Sequence, residues 1–141
     1  MMPRGLNAYR QTEVQSRTPV ELVVMLYDAA LKHILAAKTA IAQRDIHARK
    51  EAIGRLLAIV AELQNTLDIE RGGEIATTLD SLYAYMIGRI MEAVASNNAA
   101  PLNEVERLIM TIREGWQGIA TMPPAGTDTP ATDPRQVPRV P

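Results

Sequence analysis

The 141-residue sequence has no cysteine, no phenylalanine and a single tryptophan. Without thiols it can form no disulfide, thiolate zinc site, iron–sulfur cluster or cysteine nucleophile, and it suits a reducing compartment. It also lacks a surplus of charge, with 15 Lys and Arg against 16 Asp and Glu. So balanced a chain exerts no uniform field on phosphates or anionic lipid, which argues against broad nucleic-acid binding. Long apolar runs are missing too. Nowhere do 18 apolar residues follow one another, and Met1–Asn7 has no apolar signal core. Neither membrane insertion nor secretion by a signal peptide is expected.

Aromatic residues make up only 4% of the chain, so a core has to come from Leu, Ile, Val, Met and Ala. These residues pack well between helices, and four segments carry them at helical spacing. The first opens at Thr18-Pro19-Val20-Glu21, where Thr18 is a candidate N-cap, Pro19 loses nothing by lacking an N–H, and Glu21 completes a capping box. Val23, Tyr27, Ala30, Ile34, Ala37 and Ile41 then form one stripe, and the helix is expected to reach about Gln43. Asp45 can cap a second helix with Ile53, Leu56, Val60, Leu63 and Leu67 as its seam, ending near Gly72-Gly73. The third carries Ile75, Leu79, Leu82, Met86 and Ile90 and stops before Ser96-Asn97-Asn98. Pro101 starts a fourth, with Leu102, Val105, Ile109, Ile112, Trp116 and Ile119.

Short connections make consecutive helices antiparallel neighbours, so the expected fold is all-α, an up-down-up-down four-helix bundle over residues 18–120. Residues 1–17 are polar apart from Leu6, Tyr9 and Val14, a pattern for a short docking segment. Residues 121–141 hold six of the nine prolines and read as a disordered tail.

Catalytic signatures are scarce. No Glu-x-x-His occurs, and His33 and His47 are the only histidines, so a di-metal carboxylate site cannot be assembled and no metal or cofactor is expected. Ser16, Ser81 and Ser96 lack a nucleophile-elbow context, and no phosphate-binding glycine loop is present. Glu104 and Glu106, or Asp68 and Glu70, read as solvated charges. The chain is expected not to be an enzyme. More informative are the apolar stripes, which widen through Leu31 and Leu35, Leu57 and Ala61, and Ile87 and Met91. Such width serves either a bundle's own core or a groove for a partner's amphipathic helix, where Met25, Met86 and Met91 would adapt to varied side chains.

Several segments coincide in order and context: Asn7-Ala8-Tyr9, Thr18-Pro19-Val20-Glu21-Leu22, Met25-Leu26-Tyr27-Asp28-Ala29-Ala30, Ile59-Val60-Ala61-Glu62-Leu63, Gly72-Gly73-Glu74-Ile75-Ala76, Leu79-Asp80-Ser81-Leu82-Tyr83 and Ile112-Arg113-Glu114-Gly115-Trp116. Together they make the chain resemble the FliS family of flagellin-specific export chaperones over roughly residues 5–120. Ala29 stands where glycine is common in the family, and Gly115 where alanine is. The resemblance implies a cytosolic, non-catalytic bundle that binds the C-terminal helical region of flagellin, prevents its premature polymerisation and presents it to the flagellar type III export gate. It also admits an anti-sigma factor or a flagellar assembly factor as further partners, and no nucleic acid. Leu6 and Tyr9 would then be a removable cap on the client groove. Leu57, Ala61, Ile87 and Met91, left over once the central seam is filled, are the expected client contacts. Thr18, Tyr27, Gly72, Gly73, Tyr83 and Trp116 are structural expectations: the tyrosines with rings inside and hydroxyls toward a polar edge, the glycines as the turn between helices two and three. A non-catalytic adaptor or self-associating bundle is the alternative.

Overall fold

The computed structural model describes residues 18–121. The expected N-terminal cap with Leu6 and Tyr9, and the proline-rich tail, lie outside the described residues. Four helices follow in order: α1 (Pro19–Gln43), α2 (Ile46–Asn65), α3 (Ile69–Ser96) and α4 (Ala100–Thr121). Each start has a local chemical cause. Thr18 Oγ1 accepts from the Glu21 N–H at 3.1 Å while the Glu21 carboxylate accepts from the Thr18 N–H, the reciprocal box expected from the sequence. Asp45 Oδ1 accepts from the Ala48 N–H at 3.0 Å and Asp68 Oδ1 from the Arg71 N–H at 3.1 Å. Before α4, Asn98 Oδ1 accepts from the Ala100 N–H at 2.9 Å.

The ends of α1 and α3 use left-handed residues that are not glycine, Arg44 at φ 56° and Asn97 at φ 50°. In both, the residue after the cap donates back into the last turn, Asp45 N–H to Ala40 O at 2.9 Å and Asn98 N–H to Ala93 O at 3.0 Å. These bonds satisfy carbonyls that the helix leaves open.

One sequence expectation is corrected here. Gly72-Gly73 do not form the turn between the second and third helices. That turn falls at Thr66–Asp68, and Asp68 caps α3 five residues earlier than the glycine pair suggests. Gly73, at φ 55° and ψ −129°, is instead a kink within the first turns of α3. Ile75, placed on the core stripe by its spacing, follows this kink and is 45% exposed. No atom lies within 4 Å of where a Gly73 Cβ would be, so the demand on this position comes from its backbone. Gly73→Ala is expected to lose about 1–3 kcal/mol, because this dihedral region is essentially restricted to glycine. Gly54, also with open space but in regular helix, should gain up to about 1 kcal/mol on the same change. Urea unfolding of both variants checks the opposite signs.

The helices close a ring: α1 packs on α2 and α4, and α3 packs on the same two. This is the up-down-up-down bundle. Its interior holds Tyr27, Ile34, Leu56, Val60, Leu63, Met86, Ile90, Leu102, Val105 and Ile109, all essentially inaccessible to solvent. Burying each such side chain contributes roughly 1.5–3 kcal/mol. Among the described residues no helix is long and apolar enough to cross a membrane.

Candidate functional site

At the centre of the bundle two tyrosines from opposite corners meet. Tyr27 of α1 and Tyr83 of α3 are 0% and 1% exposed, and their hydroxyl oxygens lie 2.5 Å apart. Trp116 of α4 is buried as well, and its indole acts on the Tyr27 hydroxyl in the opposite sense to burial, so three helices meet around this pair. The expectation that both hydroxyls face a polar edge is therefore corrected. They satisfy one another inside the core, which a diagonal pair can do only where both rings reach the bundle axis. Burial, foremost, pushes the Tyr27 hydroxyl far above its ordinary range, with Tyr83 adding to the shift. Both phenols stay neutral and structural.

The expected client contacts lie on the outer seam of α2 and α3. Gln64 Nε2 donates to Asp80 Oδ1 at 3.3 Å, and Arg49 Nη1 to Asn97 Oδ1 at 2.8 Å, which sets the antiparallel register. Seven residues make nearly two helical turns, so Leu57 lies under Gln64, and Ile87 under Asp80, on the flanks of the same seam. Ala61 is one turn from Leu57 back toward Gln64, and Met91 is one turn beyond Ile87 toward Asn97. Leu57 and Ile87 are half-buried, packed against the core from outside. Ala61 is exposed, and Met91 is 49% exposed. The structure thus brings these four residues together on one face. Met86, suggested for such a surface, is instead wholly in the core, and Met25 is exposed on α1.

A second apolar seam, between α1 and α4, was only half visible in the sequence. Two interhelical ion pairs set its register: Lys38 Nζ to Glu106 Oε1 at 3.1 Å, and Arg113 Nε to Asp28 Oδ1 at 2.5 Å. Between them Leu31 is half-buried, while Leu35 and Met110 are 61% and 49% exposed. Met110 went unnoticed. Its only signal is an apolar residue directly after core Ile109, about 100° off the buried stripe.

The α3–α4 seam is polar by contrast. Glu104 accepts from the Tyr85 hydroxyl at 2.9 Å and from Arg89 Nε at 2.6 Å, and Arg89 also pairs with Glu92. The Tyr85 hydrogen bond and then Arg89 hold the Glu104 carboxyl below the usual range. Glu104 and Glu106 are therefore interhelical ion-pair members rather than solvated charges. His33 is half-buried between α1 and α2, where burial and then Arg55 lower its proton affinity, and His47 is exposed. Among the described residues no three His, Cys, Asp or Glu side chains could hold a metal together.

Exposed apolar seams on a helical bundle are surfaces on which an amphipathic helix can dock. The family described as Flagellar protein FliS matches residues 2–123. The chain is 39% identical over 121 residues to the flagellar secretion chaperone FliS of Salmonella typhimurium, covering 82% of this chain and 90% of that protein. It is 34% identical over 121 residues to the flagellar secretion chaperone FliSB of Pseudomonas aeruginosa, covering 83% and 96%, and 38% identical over 113 residues to FliS of Campylobacter jejuni, covering 80% and 88%. The chain belongs to the FliS family of flagellar secretion chaperones.

Proposed function

We propose that this protein is the cytosolic export chaperone of a flagellin, binding that protein's C-terminal helical region and handing it to the flagellar type III export gate. One observation carries the reading. Leu57, Ala61, Ile87 and Met91 form a continuous apolar strip along the outer α2–α3 seam of a secretion-chaperone bundle.

A client segment that is disordered alone can fold as an amphipathic helix against this strip, setting its apolar positions between Leu57 and Ile87 and over Met91. Covering its apolar face removes the surface by which the client would self-assemble. The cost of ordering the segment reduces net affinity, which allows release at the gate. The exposed Leu35 and Met110 offer a second seam on which the same client can continue around the bundle. Residues 18–120 form the binding body in this reading, and residues 1–17 act as a cap through Leu6 and Tyr9 that yields the groove to the client.

The experiment is thermal unfolding of the full chain with and without the flagellin C-terminal segment. A ligand that prefers the native state stabilises it by about 2.7 kcal/mol at a hundredfold excess over its Kd. A rise in melting temperature that saturates with segment concentration is expected. A stability that depends on chaperone concentration and not on the segment would instead favour the self-associating bundle.

A further inference from the structure

A second surface of different chemistry lies at the end of the bundle where α1 joins α2 and α3 joins α4. A cavity of about 500 Å3 opens there, lined by aliphatic Ala40, Ile46 and Val94 and by Arg44 and Arg49. Ile46 is 66% exposed, the most solvent-accessible large apolar side chain among the described residues. Arg49 is oriented by its bond to Asn97, and its Nε–H is buried with no acceptor. A buried donor left open is costly, and an incoming oxygen would relieve it.

The charge balance of this end is one-sided. Arg44, Arg49 and Lys50 form no ion pair among the described residues. The neighbouring carboxylates are already engaged: Glu51 with Arg55, Glu92 and Glu104 with Arg89, Glu106 with Lys38. Asp45 lines the cavity but accepts from the Ala48 N–H as a helix cap. Neither terminal segment carries a net negative charge. Residues 1–17 carry three arginines and one glutamate, and residues 122–141 two aspartates and two arginines.

We propose that this cavity docks an acidic, aliphatic segment of a partner protein. A carboxylate of the partner accepts from Arg49 Nε–H and pairs with Arg44, while a leucine-like side chain covers Ile46 and Val94. A nucleic-acid backbone would answer the arginines but has no group for the aliphatic half of the lining, so a protein segment is the better match. The cavity adjoins the Arg49–Asn97 end of the α2–α3 seam, about one helical turn beyond Met91, and the test does not involve flagellin.

The test is titration of the isotope-labelled full chain with the acetylated peptide Glu-Leu-Leu-Glu-Glu-Leu, followed by nuclear magnetic resonance at the Arg49 Nε–H and the Asn97 side-chain amide. Both signals are expected to shift saturably, and not to shift with the peptide in which every Glu is Gln. Arg44→Gln, a change at an exposed turn residue, is expected to weaken binding about tenfold with an unchanged helical circular dichroism spectrum. Arg49→Gln should abolish it. The proposal is overturned by the absence of shifts at these groups, by an equal response to the Gln peptide, or by full affinity in Arg44→Gln. An equal response to inorganic phosphate or to a single-stranded oligonucleotide would overturn it as well.

Discussion

Tyr27→Ala is expected to lower the unfolding free energy by about 4 kcal/mol, because it opens a cavity at the bundle axis and strands the partner hydroxyl of Tyr83. Tyr27→Phe keeps the ring and should cost only about 1–2 kcal/mol, the penalty for the unpaired hydroxyl left on Tyr83. The sharper expectation concerns coupling. Once Tyr27 is Phe, changing Tyr83 to Phe should cost less than it does in the wild type, since the bond it would break is already gone. Denaturant unfolding of the two single variants and the double variant measures this directly. Strict additivity would show that the two hydroxyls do not interact, and that the diagonal is held by ring packing alone.

The second large effect falls on client binding. Ala61→Asp with Met91→Asp should weaken binding of the flagellin C-terminal segment about a hundredfold, or roughly 2.7 kcal/mol, by placing two carboxylates beneath an apolar helix face. Both positions are exposed, so the fold should survive with helix content intact. Ala36→Asp, an exposed position on α1 away from this seam, serves as the control and should leave affinity unchanged. Equal weakening by all three substitutions would mean that added negative charge, and not the α2–α3 strip, governs association. Calorimetric titration distinguishes these results.

Local chemistry was legible in the sequence wherever it acts over three or four residues. The Thr18 capping box, the Asp45 cap and the stripe through Tyr27, Ile34 and Ala37 all depend on near neighbours, and all stand in the structure. The start of α3 was misread because two opposed local signals compete there. Asp68 can open a helix while Gly72-Gly73 can close one, and a glycine kink resolves the competition without ending the helix. The Tyr27–Tyr83 bond joins residues 56 apart across a bundle diagonal, which no periodicity encodes. Met110 and Leu35 show a similar limit. Spacing places them beside the core stripe, but only the register set by the Lys38 and Arg113 ion pairs brings them onto one seam. The four α2–α3 residues were found by subtracting the central seam from each wide stripe. The antiparallel pairing of the two helices puts all four on the α2–α3 face, which fixes their place and not their role.

The central claim, that this bundle folds a flagellin segment on its apolar seam, is tested most directly by calorimetric titration of the full chain with that segment at several temperatures. The account predicts one-to-one saturation, a negative heat-capacity change from burial of apolar surface, and helix content in the complex above the sum of the separate parts. Intact components that fail to bind, or that bind with no change in heat capacity or helix content, would contradict it.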